Sequence, residues 1–390
     1  AMGIPTVMGV VDLPYSRVDG IQMIVDGYHG EVYTNPSEVL RKQYAEVVEE
    51  ERQLSLGLDA LRELPCITPD GHRMPLWVNT GLLADVARAQ QRGAEGVGLY
   101  RTEVPFMINQ RFPSEKEQLA IYREQLSAFH PQPVTMRSLD IGGDKSLSYF
   151  PIKEENPFLG WRGIRVTLDH PEIFLVQARA MLKASEGLNN LRILLPMISG
   201  THELEEALHL LHRAWGEVRD EGTDVPMPPI GVMIEIPAAV YQTKELARQV
   251  DFLSVGSNDL TQYLLAVDRN NPRVADLYDY LHPAVLQALQ SVVRDAHAEG
   301  KPASICGEMA GDPAAAILLM AMGFDSLSMN ATNLPKVKWM LRQVSLSRAK
   351  ELLAEVMTID NPQVIRSTIQ LALKNMGLTR MMNPAAIKPY

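Results

Sequence analysis

The chain has 390 residues, of which 46% are hydrophobic and 22% are charged. This balance excludes a disordered chain, and the length indicates two domains or one large α/β domain with an additional segment. With 37 Lys and Arg against 47 Asp and Glu, the net charge is −10 with histidine neutral. An acidic chain of this kind argues against nucleic-acid or anionic-membrane binding as the main task, but it leaves room for a local basic pocket.

The cysteines and the start of the chain bear on location. Cys66 and Cys306 are far apart in the sequence, which excludes a disulfide framework and fits a reducing cytoplasm. No apolar stretch reaches the ~18 residues of a membrane span, and no signal peptide is visible. We therefore expect a cytoplasmic protein. Because the chain does not begin with Met, we also expect it to be a piece of a longer protein.

The first 65 residues divide into two segments. Residues 1–35 contain β-like runs at 5–11, 22–25 and 31–33, and the segment is too small for a core of its own. Residues 36–65 have apolar side chains at three- and four-residue spacing behind Ser37, which predicts a helix with Ser37 as its N-cap. We interpret this helix as a linker packed partly on its neighbours. A self-associating coil is the alternative.

Residues 66–390 alternate short apolar runs with amphipathic helical stretches. The clearest helical patterns lie at 204–218 and 285–296. Eight repeats of strand and helix predict a closed (β/α)8 TIM barrel of the α/β class, and a doubly wound open sheet is the alternative. The eight predicted strands are residues 76–79, 96–100, 134–136, 191–196, 231–236, 252–256, 303–305 and 326–329.

Polar side chains occur at the ends of five predicted strands. In such a barrel the loops after the strands build the active face, so we expect these side chains to share one rim. The residues are Arg101, Arg137 with Asp140, Glu235, Asn258 with Asp259, and Cys306 with Glu308.

The two carboxylates Glu235 and Asp259 predict a metal site. Glu235 lies in an otherwise apolar strand, so its carboxylate requires a cation or strong hydrogen-bond partners. An Arg or Lys partner would satisfy that need. A metal would also do so, because Asp259 offers a second hard oxygen ligand, and two carboxylates with open positions suit Mg²⁺. For Asp259 alone, a helix N-cap is the alternative.

The arginines and Cys306 have two readings each. Any one of Arg101, Arg137 and Arg269 could be a surface or ion-pair residue, but guanidinium groups that converge would form an oxyanion pocket. Cys306, at a strand end, could be an inert buried thiol or a proton donor at neutral pH.

Five motifs resemble enzyme I of the phosphoenolpyruvate-dependent phosphotransferase system, within the broader family of phosphoenolpyruvate-utilising enzymes. They are residues 93–103, 140–145, 154–162, 256–263 and 306–312. The similarity runs from the first residues to about residue 345. Variants such as residues 101–107 are more similar to the nitrogen-related enzyme I paralogue than to the sugar-system enzyme.

The resemblance implies a barrel that binds phosphoenolpyruvate and Mg²⁺ and forms a homodimer. It also implies a role for each residue that matches a functional position of the family. These are Arg101, Arg137 and Arg269 for the substrate phosphate, Asn258 and Asp259 for further substrate contacts, Arg162 lining the same site, Glu235 and Asp259 for the metal, and Cys306 as the proton donor.

The resemblance also assigns the domains and the reaction. Residues 1–35 match the end of a swivelling phosphohistidine domain, 36–65 a helical linker, and 66–390 the substrate-binding and dimerisation barrel. The implied reaction moves the phosphoryl group of phosphoenolpyruvate to a histidine of the upstream domain and then to an HPr-like phosphocarrier, with release of pyruvate. The family's Thr-Ser-His acceptor motif is absent, so we expect this chain to bind substrate without becoming phosphorylated. A pyruvate phosphate dikinase or phosphoenolpyruvate synthase type of enzyme, and a non-catalytic sensor of phosphoenolpyruvate, are the alternatives.

Overall fold

The structure is a computed structural model that describes residues 6, 7, 10, 18–27 and 29–378. An antiparallel pair comes first, β1 (Met23–Asp26) and β2 (Glu31–Thr34), where two β-like runs are predicted. The predicted run at residues 5–11 lies mostly outside the described residues. Helix α1 (Glu38–Asp59) follows, and the Ser37 hydroxyl oxygen accepts a hydrogen bond from the Leu40 N–H at 3.2 Å. The predicted N-cap is therefore confirmed.

Eight parallel strands close into a barrel, which confirms the predicted fold and excludes the open sheet. The strands neighbour one another in chain order, and the last pairs with the first. Their bounds are β3 Leu76–Thr80, β4 Val97–Arg101, β5 Val134–Arg137, β6 Leu191–Leu195, β7 Ile230–Ile234, β8 Phe252–Gly256, β9 Ala303–Cys306 and β10 Ser326–Met329.

Helices follow the strands and cover the outside of the barrel. Within the described ranges, no helix is both long and apolar enough to cross a membrane. The helices are α2 Leu83–Gln91, α3 Glu103–Ile108, α4 Glu115–Phe129, α5 Ile164–Asp169, α6 Pro171–Ala184, α7 Thr201–Asp220, α8 Pro237–Tyr241, α9 Thr243–Ala247, α10 Ser257–Leu265, α11 Pro283–Ala298, α12 Pro313–Met322, α13 Leu334–Leu341, α14 Leu346–Val356 and α15 Pro362–Asn375, with 3₁₀ turns at Pro157–Leu159, Ala275–Leu277 and Met309–Gly311.

Successive strand residues alternate between two cores. Ile193 and Val232 face outward into the large core shared with the helices, whereas their neighbours Leu194 and Met233 belong to a separate cluster inside the barrel. This alternation is the two-residue period of a strand. Cys306 belongs to the inner cluster, at the end of its strand. Side chains at the last inward positions therefore meet at the C-terminal mouth.

A buried lysine joins the segment after helix α1 to the barrel. Lys338, on α13, is 1% exposed, and its Nζ donates to the carbonyl oxygens of Leu61 (3.3 Å), Arg62 (3.0 Å) and Gly93 (3.5 Å). Gly93 has a φ of 72°, and a Cβ atom there would lie 2.2 Å from the Arg62 carbonyl oxygen. The close approach thus requires glycine. These contacts hold the chain just after α1 against the barrel.

Candidate active site

Most of the predicted site residues lie at the carboxyl ends of barrel strands. Arg101, Arg137 and Cys306 are the last residues of β4, β5 and β9. Glu235 directly follows β7, so this strand ends two residues earlier than predicted. The barrel therefore brings these residues to one rim, as expected.

Asn258 and Asp259 reach the same rim from the first turn of α10. This helix begins directly after β8, and Gly256 occupies its N-cap position, so the N-cap alternative for Asp259 is wrong. The Asn258 Oδ1 accepts a hydrogen bond from the Glu308 N–H at 3.0 Å, and its carbonyl oxygen accepts one from the Tyr278 hydroxyl at 3.2 Å. Asn258 thus ties the end of β8 to the loop after β9.

Two arginines lie side by side at the mouth. Arg101 and Arg137 are paired positions in the register of β4 and β5. Arg137 is buried, and its Nη1 lies 3.8 Å from the Met233 sulfur inside the barrel. Arg101 is exposed and forms no hydrogen bond or ion pair with any described residue. A guanidinium group with free donors, placed beside a second guanidinium group that is held in position, is suited to binding an oxyanion.

Arg137 is held by two buried carboxylates, so the surface alternative is wrong for this arginine. Its Nη2 donates to Glu103 Oε1 at 2.7 Å, and its Nη1 lies 3.1 Å from Asp140 Oδ2. Burial raises the pKa of the Glu103 carboxyl, but Arg137 and Lys145 outweigh burial and bring this pKa below its usual value. Glu103 is therefore ionised at neutral pH, and it fixes the direction of the guanidinium.

Asp140 is the centre of a charged cluster, whose other members are Glu103, Arg137, Lys145 and Arg162. It is fully buried and forms ion pairs with Lys145, Arg137 and Arg162. A tight turn delivers Lys145, because Gly142 and Lys145 exchange two backbone hydrogen bonds and Gly142 has a φ of 99°. Burial raises the pKa of Asp140, but the three cations hold it well below its usual value.

Arg162 bridges Asp140 and Asp259 from a fully buried position. Its Nη1 and Nη2 donate to the two Asp259 oxygens at 3.2 and 3.1 Å, and its Nε donates to Asp140 Oδ1 at 3.2 Å. Arg269 Nη1 lies 3.4 Å from Asp259 Oδ1. Burial raises the pKa of Asp259, but Arg162 and Arg269 bring it below its usual value. Asp259 is therefore ionised and precisely oriented.

Glu235 differs from the other carboxylates because no cation among the described residues forms an ion pair with it. Its Oε1 accepts a hydrogen bond from the Met197 N–H at 2.7 Å, and its buried Oε2 has no hydrogen-bond partner among the described residues. The predicted Arg or Lys partner is therefore not found in this part of the chain. Burial, with Asp259 and Asp140 nearby, raises the pKa of Glu235 to about 8. A Cβ atom at Gly256 would lie 2.9 Å from Oε2, so glycine keeps the space for this carboxylate.

The residues at the mouth fit a hard divalent cation. Glu235 presents an oxygen without a partner, and Asp259 is close enough to raise the Glu235 pKa. Mg²⁺ commonly binds one or two carboxylates and completes its shell with water and substrate oxygens. The described residues contain no group of three or more His, Cys, Asp or Glu side chains that could hold a metal. A cation at this position would consequently need oxygens from a ligand or from water.

Cys306 lies at the inner end of the mouth and is 2% exposed. Its thiol donates to the Val255 carbonyl oxygen at 3.5 Å and accepts from the Ser254 hydroxyl at 3.7 Å. Burial raises the pKa of Cys306 to about 11, so the thiol stays protonated at neutral pH. Both readings of this residue, a proton donor and an inert core thiol, are compatible with this geometry.

Several buried polar atoms at the mouth have no hydrogen-bond partner among the described residues. Such atoms are rare in folded proteins because each carries a desolvation cost, and a polar ligand would supply the missing partners. In the described part of the chain they include Oε2 of Glu103 and Glu235, Nε of Arg137, Oγ of Ser138 and Nη1 of Arg269.

Two members of the charged cluster were missed by the sequence analysis. Glu103 lies two residues after Arg101, and Lys145 ends the glycine turn, so both are close to predicted strand ends. Their ion pairs with Arg137 and Asp140 depend on how the neighbouring strands are arranged. Proximity to a strand end was the available signal, and it did not reveal the pairing.

Comparison with known proteins places this chain in a family. Residues 56–346 match the family described as "PEP-utilising enzyme, PEP-binding domain". The chain is 45% identical over 379 residues to the Escherichia coli K12 protein named "Phosphoenolpyruvate-dependent phosphotransferase system". The alignment covers 97% of this chain and 50% of that protein. It is 40% identical over 358 residues to the "Phosphoenolpyruvate-protein phosphotransferase" of Haemophilus influenzae, covering 90% of this chain and 61% of that protein.

This chain spans about half to three fifths of the length of these relatives. The matches confirm the resemblance to phosphoenolpyruvate-protein phosphotransferases, whereas the nitrogen-related paralogue stays a prediction. The chain therefore belongs to the family of phosphoenolpyruvate-utilising enzymes and contains their phosphoenolpyruvate-binding domain.

Proposed function

We propose that the C-terminal mouth of this barrel binds phosphoenolpyruvate and transfers its phosphoryl group to a histidine on an upstream domain. The observation that carries the proposal is the convergence of the arginines and Lys145 on one rim. Among the described residues, Arg101 is unpaired, and buried donors of Arg137, Ser138 and Arg269 lack hydrogen-bond partners. A doubly or triply charged oxyanion would satisfy these donors.

The side chains at the mouth divide into substrate contacts and supporting groups. Arg101, Arg137 and Arg269 would hold the phosphate, and Asn258 would orient the substrate from the start of α10. Arg162 differs, because it is fully buried and its guanidinium donates to Asp140 and Asp259. We therefore assign Arg162 to orienting these two carboxylates, in place of the direct contact that the resemblance suggests.

Glu235 and Asp259 would hold Mg²⁺, which would neutralise charge on the phosphoryl group during its transfer. Arg162 keeps Asp259 ionised, and Met197 fixes one Glu235 oxygen, so the other oxygen remains available. The arginines would orient the phosphate for in-line attack.

Cys306 would complete the reaction. When the bond between phosphorus and the enol oxygen breaks, the phosphoryl group passes to the acceptor histidine and the enolate of pyruvate remains. The Cys306 thiol, which is protonated at neutral pH because burial raises its pKa to about 11, gives its proton to the methylene carbon. Pyruvate forms as the ketone, and solvent then reprotonates the thiolate.

The whole protein would act in a phosphotransferase system, as the names of its relatives suggest. The proposed partner is an HPr-like phosphocarrier, and the proposed branch is the nitrogen-related one, in the cytoplasm, where the free thiols Cys66 and Cys306 would stay reduced. Exposed apolar side chains on the segments that follow three strands support a homodimer through the barrel; they are Leu159, Tyr241 and Leu277.

Titration calorimetry with phosphoenolpyruvate tests this function. We expect binding that tightens with Mg²⁺, and equally Mg²⁺ binding that tightens with substrate, by reciprocal linkage. Glu235→Gln should abolish the linkage, whereas Glu206→Gln, on the exposed side of α7, should preserve it. Absence of phosphoenolpyruvate binding with and without Mg²⁺ would refute the proposal.

A second assay separates the possible reactions. A histidine domain from a relative is supplied in trans with labelled phosphoenolpyruvate. Label on that domain supports the phosphotransferase. Transfer that needs ATP or pyrophosphate would indicate a dikinase type of enzyme, and binding without any transfer would indicate a sensor.

A further inference from the structure

A buried glutamine on an outer helix bonds to both strand ends that carry the arginine pair. Gln177, on α6, is 1% exposed. Its Oε1 accepts a hydrogen bond from the Leu139 N–H at 2.8 Å, just after β5. Its Nε2 donates to the Thr102 hydroxyl, just after β4, and to the Tyr122 hydroxyl on α4, both at 3.1 Å. Both amide hydrogens and the carbonyl oxygen are used.

Through Thr102, Gln177 is connected to the backbone of Arg137. The Thr102 hydroxyl donates to the Arg137 carbonyl oxygen at 2.7 Å. Between Arg137 and Leu139, the Ser138 N–H donates to the Leu194 carbonyl oxygen of β6 at 2.9 Å. The end of β5 is therefore held from β4, from β6 and from α6.

We propose that Gln177 is a positioning residue for oxyanion binding, which sets the spacing between the strand ends that present Arg101 and Arg137. The inference rests on the proposed function, in which these arginines hold the phosphate of phosphoenolpyruvate. Forked binding of a phosphate depends on guanidinium placement within about half an ångström. The guanidinium of Arg137 is fixed by Glu103 and Asp140, and the backbone beneath it is fixed through Gln177 and Thr102.

Few side chains could replace Gln177. The site requires one acceptor for a backbone N–H and two donors for hydroxyl oxygens, which is the inventory of a primary amide. The amide also spans two loops that are far apart in the chain, since Thr102 and Gln177 are separated by 75 residues. A leucine would leave the Leu139 N–H buried without a partner and would remove the hydrogen bond that the Thr102 hydroxyl accepts.

The chain offers a matched control in Gln125. This residue, on α4, is also fully buried, but neither its Oε1 nor its Nε2 has a hydrogen-bond partner among the described residues. Gln125→Leu therefore removes a buried amide of the same size without cutting a bond to the mouth. Gln177→Leu removes an amide that is bonded to it.

The experiment compares Gln177→Leu, Gln125→Leu and Thr102→Val in the full chain, with Thr102→Ser and Gln177→Glu as conservative variants. Phosphoenolpyruvate affinity is measured by calorimetry with Mg²⁺, and stability by urea unfolding. Hydrogen exchange of residues 134–140 is followed by mass spectrometry without ligand.

We expect Gln177→Leu and Thr102→Val to weaken phosphoenolpyruvate binding about tenfold and Gln125→Leu to leave it unchanged. Thr102→Ser should bind as the wild type does, and Gln177→Glu should fall between.

The double variant Gln177→Leu with Thr102→Val should lose less affinity than the two single losses added together, because both substitutions remove the hydrogen bond between Gln177 and Thr102. Exchange in residues 134–140 should rise in Gln177→Leu and not in Gln125→Leu. Wild-type affinity in Gln177→Leu, or a loss that only parallels reduced stability and also occurs in Gln125→Leu, would overturn the inference. If Gln177→Leu does not fold, Thr102→Val and Gln177→Glu provide the same test.

Failure of the wild-type chain to bind phosphoenolpyruvate would instead refute the proposed function. The hydrogen-exchange measurement needs no ligand, so it still decides whether Gln177 limits the opening of the backbone at the end of β5. Unchanged exchange in Gln177→Leu would remove the structural basis of the inference.

Discussion

At the scale of single residues, the two cysteines make a natural comparison. Both are fully buried, and burial raises both pKa values, to about 12 for Cys66 and about 11 for Cys306. Cys66 faces the carbonyl oxygen of Lys338, far from the mouth, whereas Cys306 ends a barrel strand at the mouth. Location, rather than acidity, distinguishes them.

This comparison gives a prediction for the proton donor. With a histidine domain supplied, Cys306→Ala should lower the formation of pyruvate by roughly 10²-fold, the scale for a lost general acid. Phosphoenolpyruvate affinity should stay within a few-fold, because the arginines carry binding. Cys66→Ala should change neither quantity. The measurement is incorporation of solvent protons into the methyl group by NMR, and an unchanged rate and facial selectivity in Cys306→Ala would identify the thiol as a packing residue.

At the scale of elements, the C-terminal helices are joined to the barrel by side chains that bond to backbone groups. Asp70, in the loop before β3, accepts hydrogen bonds from the N–H groups of Leu346 (2.9 Å) and Ser347 (3.1 Å) at the start of α14. Those N–H groups have no partner within the helix, and the helix dipole favours a negative charge there. Asp70 thus caps a helix that is distant in the sequence.

The cap predicts an acid-dependent loss of stability. A hydrogen bond from Thr68, with those from Leu346 and Ser347, lowers the pKa of Asp70 to about 2 from an ordinary value of 3.8. A lowered pKa means that the stabilisation is complete above the ordinary value and is lost as the pH falls toward 2. Asp70→Asn should lower the unfolding temperature at pH 7, and the difference from the wild type should vanish near pH 2. Thermal unfolding at several pH values checks this, and a difference that is constant with pH would contradict it.

Lys338 gives a second prediction at this scale. Its ammonium group bonds to three partly buried carbonyl oxygens, and Lys338→Met would remove these bonds. We expect the free energy of unfolding to fall by about 1–3 kcal/mol, since three partly buried acceptors lose a charged donor. Urea denaturation provides the measurement, with the exposed Lys350→Met as control. Equal effects of the two substitutions would show that the carbonyl contacts contribute little.

At the scale of the whole molecule, the described residues at the mouth offer donors for a phosphate but no histidine to accept the phosphoryl group. The chain contains nine histidines, and among the described residues none forms a hydrogen bond or ion pair with Arg101, Arg137, Glu235 or Asp259. In the proposed reaction the acceptor histidine belongs to another domain. We therefore expect this chain to bind phosphoenolpyruvate without becoming phosphorylated itself.

The prediction is that this chain, incubated alone with labelled phosphoenolpyruvate and Mg²⁺, binds substrate and forms no stable phosphohistidine. Mass spectrometry under mildly alkaline conditions, which preserve phosphohistidine, makes the measurement. Stoichiometric label on any of the nine histidines would contradict it.

The sequence alone determined the barrel, helix α1 and most residues at the mouth. Eight apolar runs separated by amphipathic stretches match the eight observed strands, because the periods of strands and helices are local properties of the chain. Residues that directly follow the strands, such as Arg137 and Asp259, could be placed on one rim because parallel strands share a carboxyl edge.

Only the tertiary structure decided which charges pair. Glu103 with Arg137, Arg162 between Asp140 and Asp259, and the unpaired Oε2 of Glu235 follow from the closure and stagger of the strands, which no local pattern encodes. The same holds for Lys338, whose carbonyl partners on Leu61 and Arg62 lie more than 270 residues away in the chain. A buried ionic or amide group takes its role from the partners that folding brings to it, because its charge and hydrogen bonds must be satisfied inside the protein.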